Sequence, residues 1–407
     1  MKSRLTLVVL LLTLLVALAS LAFAQDQPAG WTQIKLIADE QAPDNPIYHE
    51  GKDIVSAIWF KDLDHGLIGT MEGDGNGGGV IYKAAGAKLT GVAFRGYKNA
   101  IDGDQNVQFR DFVPTPDGLV ALLNRADTFV HCDNDFRFTR EAPGGEHGVE
   151  TQLWLGPVAG GKWVYITGTG VVSQASESPG KGVDWKVIWF PQGAPPVPDP
   201  VPDGMCPEAA ISNTPGSLPH HYAYVSPDGM TIAYPLHSKP AVCVCTDGGK
   251  KWLEKDLPNP PASVGETGPY GIYFTDKQHG WTFYANDLTD RSAYVYSTTD
   301  GGNTWTAGKL PENITAADSK ANFRAIFFAP GNQYGWLVGY KGDNTKPMVL
   351  RTSDGGATWE DKSTGKTSLA AICDPPMKLY SGFALDKDHI WVGGCYGGLF
   401  YCDTASK

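Results

Sequence analysis

The chain carries little basic charge and gathers none of it into a run. Its 33 lysine and arginine residues are outnumbered by 44 aspartate and glutamate residues, which gives a formal net charge of −11. A protein that neutralises a phosphate backbone or binds an anionic membrane surface needs a concentrated positive patch. We therefore expect neither a nucleic-acid partner nor a membrane-surface partner.

Beyond the first residues the chain has no long apolar run and no helical periodicity. The one long run, Leu5 to Phe23, follows two basic residues and ends at Ala22-Phe23-Ala24, small residues typical of a signal-peptidase site. We predict a signal peptide over residues 1–24 and an exported mature chain, periplasmic or extracellular, with no membrane segment. The alternative is an uncleaved anchor, because a run of this length nearly spans a bilayer.

Cysteine is scarce and has no metal-knuckle spacing. Seven cysteines are compatible with an oxidising compartment, although the odd number leaves at least one without a partner in the chain. Cys243 and Cys245 lie two residues apart on a predicted strand and face the same way, which disfavours a bond between them. Several pairings remain open for the other five, which are Cys132, Cys206, Cys373, Cys395 and Cys402.

What the chain does contain is one turn motif in three clear copies. Its aspartates lie 53 and 54 residues apart, a period that predicts one four-stranded propeller blade per copy. The aspartate accepts backbone N–H groups in the turn, the glycines supply positive φ, and the tryptophan packs on the neighbouring blade. The structural residues of the motif are Asp247, Gly249, Trp252, Asp300, Gly302, Trp305, Asp354, Gly356 and Trp359.

A second landmark, a glycine-tryptophan pair that begins a strand, extends the period along the whole chain. Clear and degenerate copies together give seven landmarks: Gly280-Trp281, Gly335-Trp336, His65-Gly66, His389-Ile390, Asp117-Gly118, Gly161-Lys162 and Asp228-Gly229. The segment Gly30 to Leu36 matches the outermost strand of a repeat, which the C-terminus lacks. We predict an all-β, monomeric, seven-bladed β-propeller over residues 25–407, closed by the N-terminal strand, with a proline-rich insertion at residues 191–207.

Propeller geometry also predicts a binding face. The loops that lead into the innermost strands open beside the central channel, so their polar residues converge there and can hold a metal or a polar ligand. The alternative is that these polar residues line a solvated opening of the channel and only contact water. The candidate residues are His49, Glu50, His147, Glu150, His220, His221, Glu266, Asn322 and Arg324.

A glycine-rich segment offers one weak calcium site. Glu72, Asp74 and Asn76 place oxygen ligands at alternate positions, as short calcium loops do. The downstream bidentate glutamate is missing, so a flexible hairpin is the competing interpretation. We expect no other cofactor.

The three turns resemble the Asp-box, or BNR, repeats. Together with the glycine-tryptophan strand about twenty residues before each turn, they most resemble the photosystem II assembly and stability factor propellers and their non-photosynthetic bacterial relatives. This resemblance implies an exported, non-catalytic scaffold that binds a protein or glycan through one face. The basic, arginine-rich patch of the photosystem factor has no matching run in this acidic chain. The resemblance therefore implies a general binding role and not the photosynthetic partner.

Asp boxes also occur in sialidases and some endoglucanases, so a glycoside hydrolase acting on extracellular polysaccharide is the alternative. The Arg-Ile-Pro signature of sialidases is absent. A carboxylate pair drawn from Glu50, Glu150 and Glu266 stays open as the catalytic set of such an enzyme.

Overall fold

The computed structural model describes most of the predicted propeller. The predicted signal peptide and the predicted proline-rich insertion lie outside the described residues. No helix within the described part is long and apolar enough to cross a membrane. The described residues are 30–36, 53–72, 78–96, 108–115, 118–124, 129–141, 152–167, 172–176, 186–189, 223–236, 239–260, 269–284, 293–315, 321–341, 346–363, 369 and 377–404.

The described strands form seven four-stranded antiparallel sheets, each made of strands that follow one another in the chain except at the closure. The innermost strands are β2 (Asp53–Asp62), β6 (Gln108–Thr115), β10 (Gln152–Val158), β14 (Tyr224–Val225), β18 (Gly271–Phe274), β22 (Asn322–Phe328) and β26 (Leu379–Ala384). The second strands are β3 (His65–Glu72), β7 (Gly118–Asn124), β11 (Lys162–Thr167), β15 (Ile232–Leu236), β19 (Gly280–Tyr284), β23 (Gly335–Lys341) and β27 (His389–Gly394).

The outer half of each sheet consists of its third and outermost strands. The third strands are β4 (Val80–Ala85), β8 (Phe129–Asp133), β12 (Val172–Ala175), β16 (Ala241–Cys245), β20 (Tyr294–Thr298), β24 (Lys346–Thr352) and β28 (Leu399–Asp403). The outermost strands are β5 (Lys88–Arg95), β9 (Phe138–Glu141), β13 (Lys186–Trp189), β17 (Trp252–Asp256), β21 (Thr306–Ala307), β25 (Glu360–Asp361) and β1 (Trp31–Ile34). A 3₁₀ turn (Ala159–Gly161) and one short helix, α1 (Glu312–Thr315), complete the described elements. The sheets are blades I to VII, beginning at β2.

The N-terminal strand closes the ring, as the sequence predicts. β1 pairs antiparallel with β28 in blade VII, with Trp31 opposite Cys402 and Ile34 opposite Leu399. The N–H of Asp403 donates to the carbonyl of Gly30 at 3.0 Å and extends the ladder. Blade VII therefore has four strands like the others, and the ring has no unpaired blade edge at this point.

The core lies between blades rather than within a central sandwich. One cluster joins Trp281 and Phe283 of blade V to Phe323 and Leu337 of blade VI. Because each sheet is covered on both faces by its neighbours, its inner strands are buried on both faces and lose the alternation of buried and exposed residues. The five residues of β19 and the seven of β22 are all buried.

The landmark glycines begin second strands and leave room for an aromatic ring of the same blade. A Cβ added to Gly280 would lie 2.5 Å from the ring of Phe274, and Gly335 is covered in the same way by Phe328. The tryptophan after Gly280 has its own role, since the indole N–H of Trp281 donates to the carbonyl of Gly355 at 2.9 Å in the next blade.

The Asp boxes form the turns between third and fourth strands. In blade V the Asp300 carboxylate accepts the Thr304 N–H at 2.9 Å and the Thr304 hydroxyl at 2.6 Å. The Thr298 hydroxyl donates to Asp300 at 2.8 Å and accepts the Gly302 N–H at 2.9 Å. Blade VI repeats this pattern around Asp354, so the predicted role of the aspartate is confirmed at both turns.

The blade IV box uses sulfur where the other two use a hydroxyl. The Cys245 thiol donates to Asp247 at 3.1 Å and accepts the Gly249 N–H at 3.0 Å. The carboxylate of Asp247 again accepts two backbone N–H groups, from Lys250 and Lys251. Cys245 is therefore a buried structural thiol.

Each box packs on the preceding blade through its second glycine and its tryptophan. Gly302 has φ of 87°, and a Cβ there would meet Val244 of blade IV at 2.9 Å. The indole N–H of Trp305 donates to the Gly302 carbonyl at 3.1 Å while its ring joins a cluster with Phe274 and residues of blade IV. The boxes are therefore rim joints between blades.

The fainter predicted turns have mixed outcomes. The Asp133 carboxylate accepts the N–H groups of Asp135 and Arg137, both at 2.9 Å, which reproduces part of the Asp-box pattern in blade II. The turn after Tyr82 in blade I is also present, with Gly86 at φ of 51°. The degenerate copy over residues 178–185 lies outside the described residues.

Four of the described cysteines form no disulfide. Cys132, Cys245 and Cys402 are buried, and Cys395 is partly buried. Cys243 is disulfide-bonded, and its partner lies outside the described residues. The prediction that Cys243 and Cys245 do not pair with each other is confirmed.

Candidate functional site

The antiparallel order of the strands gives the propeller two distinct faces. The hairpins that join the first to the second strand, and the third to the fourth, lie at one end of each blade. We call this end the Asp-box face, because Asp247, Asp300 and Asp354 lie on it. The opposite end, where the chain enters each innermost strand, is the entry face.

Two predicted binding-face residues are described, and both lie inside a strand rather than in the loop before it. Asn322 and Arg324 belong to the innermost strand β22 and are buried, at 4% and 3% exposure. The remaining candidates lie outside the described residues: His49, Glu50, His147, Glu150, His220, His221 and Glu266. The predicted meeting of these residues around the channel thus remains a prediction.

Arg324 lies in an aromatic cage near the entry face. Its guanidinium donates to the hydroxyls of Tyr270 and Tyr340, both at 2.6 Å. It also lies 5.0 Å from the ring centre of Tyr270 and 5.8 Å from that of Tyr380. Burial raises the pKa of the Tyr380 hydroxyl, although the nearby guanidinium opposes this rise. The four residues link three blades.

A β-bulge near the start of the innermost strand sets the direction of the Arg324 side chain, and three other blades have a bulge at the equivalent position. In β22 the ladder register shifts between Phe323 and Ala325, so Arg324 is the extra residue. The same shift makes Ser56, Arg110 and Tyr380 the extra residues of β2, β6 and β26. Because bulges redirect side chains and often lie beside functional sites, we interpret this ring of bulges as the device that shapes the entry end of the channel.

The central channel contains a cavity of about 1440 Å³. Residues from all seven innermost strands line it, as do residues of the adjoining hairpins on the Asp-box face, including Gly160, Pro227, Thr275 and Gly331. The cavity therefore extends towards the Asp-box face, opposite the loops on which the sequence places the candidate site.

A band of aromatic side chains lines this cavity. Trp59, Tyr273, Phe327 and Phe383 all line the cavity. Each comes directly before the innermost-strand residue that pairs with a second-strand landmark, namely Gly66, Gly280, Gly335 or Ile390. Trp59, Tyr273 and Phe383 are half-buried, whereas Phe327 is 2% exposed and packs over Gly382. We call these four residues the aromatic band.

Sequence reasoning missed the aromatic band, although a signal was present. An aromatic pair precedes three of the landmark glycines by six or seven residues, as in Trp59-Phe60 and Phe327-Phe328. The second member covers the glycine of its own blade, and the first lines the channel. The spacing between the aromatic pair and the landmark glycine could therefore have identified the channel-lining residue from the sequence.

The charged side chains on the described cavity lining are carboxylates. Asp111 of β6 is 6% exposed, and its carboxylate accepts the Phe112 N–H at 2.7 Å. Burial, together with the smaller effect of the Asp111 charge, raises the pKa of Tyr273 to about 12, although a backbone hydrogen bond with Phe328 opposes the rise. Both residues line the cavity. Asp276 lies at the end of the cavity, in the hairpin after β18.

Asp276 is held ionised by its own turn. Partial burial raises its pKa, but N–H donors from His279 and Gln278 and the His279 ring outweigh that effect and lower it to about 2. The His279 Nδ1 lies 2.8 Å from the carboxylate, and the Asn332 amide of blade VI donates to it at 3.2 Å. The same Asp-x-x-His turn recurs at Asp62 and Asp386.

Most of the predicted calcium site lies outside the described residues. Glu72 ends β3, but its side chain is not described, and Asp74 and Asn76 lie in the gap at residues 73–77. Within the described ranges, no group of three or more histidine, cysteine, aspartate or glutamate side chains is arranged to hold a metal ion.

Comparison with known proteins identifies the fold alone. No protein-family profile matches the chain, and no curated protein matches it. Among solved structures, YCF48 from Cyanidioschyzon merolae is 12% identical with a TM-score of 0.58, covering 93% of this chain and 100% of that one. A structure of YCF48 bound to D1 peptide is 14% identical with a TM-score of 0.57, covering 93% and 97%.

Enzymes of the same fold match almost as well. Catalytically inactive virginiamycin B lyase from Staphylococcus aureus, in complex with quinupristin, is 13% identical with a TM-score of 0.56, covering 92% of this chain and 98% of that one. The chain is thus similar to binding proteins and to lyases in its architecture. Architecture by itself does not choose between these activities.

Proposed function

We propose that this protein is an exported, non-catalytic binding propeller that takes a segment of a partner polypeptide into its central channel. The observation that carries the proposal is the channel cavity of about 1440 Å³ with its aromatic band. Pockets for small molecules usually measure about 300–1000 Å³. A larger cavity, lined by seven strands, fits an extended polymer better than a single small ligand.

The chemistry of the lining favours a polypeptide over a glycan. Apolar aliphatic residues such as Ile58, Val113, Val158 and Ile272 lie among the aromatic residues of the lining. Such a surface suits apolar side chains, because the hydrophobic gain scales with the apolar area removed from water. The solved YCF48 complex with D1 peptide supports the proposal as a precedent for peptide binding by this fold.

Export is part of the proposal. The predicted signal peptide over residues 1–24 and the disulfide at Cys243 both support an oxidising compartment, since disulfides persist outside the reducing cytosol. The compartment is the periplasm or the extracellular space.

The glycoside hydrolase alternative depends on Glu50, Glu150 and Glu266, which lie outside the described residues. Among the described cavity carboxylates, Asp276 has a pKa of about 2. A general acid needs a pKa near the operating pH, so Asp276 is unsuited to that role.

The test is a selection from a displayed library of random twelve-residue peptides with the mature protein as bait. Synthetic copies of the enriched peptides are then titrated against wild type and Trp59→Leu/Phe383→Leu, with Leu253→Ala on the exposed rim as the matched control. We expect about tenfold weaker binding to the double variant and unchanged binding to the control, because each aromatic contact contributes about 0.5–1.5 kcal/mol. Failure to enrich any peptide would overturn the proposal, and binding or hydrolysis on a polysaccharide panel would then favour the glycan alternative.

A further inference from the structure

The cavity lining combines aromatic rings with negative charge. Among its described residues, the lining contains no lysine or arginine, and its acidic side chains are Asp111 and Asp276. The pKa values of two tyrosines on the lining show the effect of this negative charge. The charge of Asp111 raises the pKa of Tyr273, and the charges of Asp276 and Asp228 raise that of Tyr224, in each case beyond the effect of burial.

Such a lining disfavours anionic ligands. A carboxylate or phosphate entering beside Asp111 would be desolvated next to a like charge, which is unfavourable in a partly buried site. A neutral apolar segment would gain contact area but would make no use of the negative field. A cation gains from both features, because aromatic faces and carboxylates attract positive charge.

The position of the two carboxylates sets where the cation lies. Asp111 is within the innermost strand of blade II, between the entry-face bulge at Arg110 and the Asp-box face. Asp276 is in the hairpin at the Asp-box face of blade V. A ligand that enters from the Asp-box face therefore passes Asp276 first and reaches the aromatic band and Asp111 further inside.

From these features we infer that the channel recognises a basic side chain, lysine or arginine, flanked by apolar residues in the partner polypeptide. The inference rests on the proposed function and specifies the chemistry of the partner segment. The alkyl stem of the basic residue packs on the aromatic band while its charged end faces Asp111. Arginine fits best, since its planar guanidinium both stacks on rings and pairs with a carboxylate.

The first arm of the experiment is the composition of the peptides enriched in the library selection. We expect lysine or arginine next to aromatic or aliphatic residues in most of them. Enriched peptides that are neutral or acidic would overturn the inference while leaving the proposed function intact. No enrichment at all would overturn both.

The second arm measures the charge directly by calorimetric titration. One enriched peptide is compared with a copy in which citrulline, the neutral isostere, replaces arginine. We expect about tenfold weaker binding of the citrulline peptide, in line with a partly desolvated cation–π and carboxylate contact. Equal affinity of the two peptides would contradict the inference.

Variants then locate the contact. Asp111→Asn keeps the oxygen that accepts the Phe112 N–H but removes the charge, and Trp59→Leu keeps apolar area but removes the aromatic face. Each variant should lower affinity for the arginine peptide by more than it lowers affinity for the citrulline peptide. Asp135→Asn, in the exposed β8–β9 turn, is the matched charge control, and thermal unfolding of each variant checks that the fold is retained. An arginine preference that is unchanged in Asp111→Asn and Trp59→Leu, or that is lost equally in the control, would contradict the assigned position.

Discussion

At the scale of single residues, the Asp boxes show how a repeated motif divides its tasks. The aspartate organises the turn, the second glycine admits the neighbouring blade, and the tryptophan covers the joint. The residue two positions before the aspartate has a role that the motif itself does not indicate. Thr298, Thr352 and Cys245 occupy it, and each accepts the N–H of the second glycine.

Two adjacent threonines of the blade V turn provide a matched pair of variants. The Thr298 hydroxyl is buried and bonded on both sides, whereas Thr299 is exposed. Thr298→Val leaves the buried Gly302 N–H without its acceptor, so we expect a loss of about 1–3 kcal/mol in the free energy of unfolding. Thr299→Val should change it by less than about 0.5 kcal/mol. Urea unfolding measures both, and equal effects would contradict this account of the turn.

Acid should weaken the Asp276 turn selectively. The pKa of Asp276 is below its usual value in the folded state, so its stabilisation is fully present above about pH 4 and is lost as pH falls towards 2. Asp276→Asn should therefore cost about 1 kcal/mol at neutral pH, an amount limited by solvent screening, and almost nothing near pH 2. The measurement is the unfolding free energy of both proteins between pH 2 and 7, and a difference that persists at the lowest pH would contradict the assignment.

At the scale of elements, the closing strand joins residues almost the full chain apart. Trp31 faces Cys402 across β1 and β28, and the bond from Asp403 N–H to the Gly30 carbonyl makes the next pair hydrogen-bonded. Trp31 and Cys402 are therefore a non-hydrogen-bonded pair, whose Cα separation of about 4.5 Å suits a disulfide.

Trp31→Cys should form a disulfide with the native Cys402 under oxidising conditions. We expect peptide mapping without reductant to find this bond and the oxidised protein to be about 2–4 kcal/mol more stable than its reduced form. Thr32→Cys, which faces Tyr401, is the matched control and should form no such bond. A cross-link in the control but not in the Trp31 variant would contradict the register of the closure.

The landmark glycine of blade V is required by its own blade. A methyl group at Gly280 would collide with the ring of Phe274, so Gly280→Ala should cost about 1–3 kcal/mol through overpacking. The cost should be smaller in a Phe274→Leu background, which frees space at that position. Melting temperatures of the four proteins of this double-mutant cycle measure the coupling, and additive effects would refute it.

The sequence predicts these elements well and the channel poorly. The Asp-box period and the resemblance of Gly30–Leu36 to an outer strand are local signals, so they predict the blades and their closure. Strand bulges such as that at Arg324 arise from register with a partner strand, which no single segment encodes. Trp59 and Phe383 line one cavity only because the ring closes, so the role of Trp59 depends on the three-dimensional structure.

At the scale of the whole molecule, the two faces differ in character. The entry end contains the bulged residues, including Arg324 with its tyrosine cage, whereas the cavity that extends towards the Asp-box face combines aromatic rings with carboxylates. A polypeptide that crosses the channel meets these environments in a fixed order. This polarity, within a ring joined blade to blade at its rim, is the basis for the binding role that we propose for the propeller.

The most direct test of that role is hydrogen–deuterium exchange of the mature protein with and without a library-selected peptide. Binding in the channel predicts slower exchange in the innermost strands β2, β18, β22 and β26 near the aromatic band, with little change in the outermost strands. Protection confined to the outer rim, or no protection at a saturating concentration of peptide, would contradict the account.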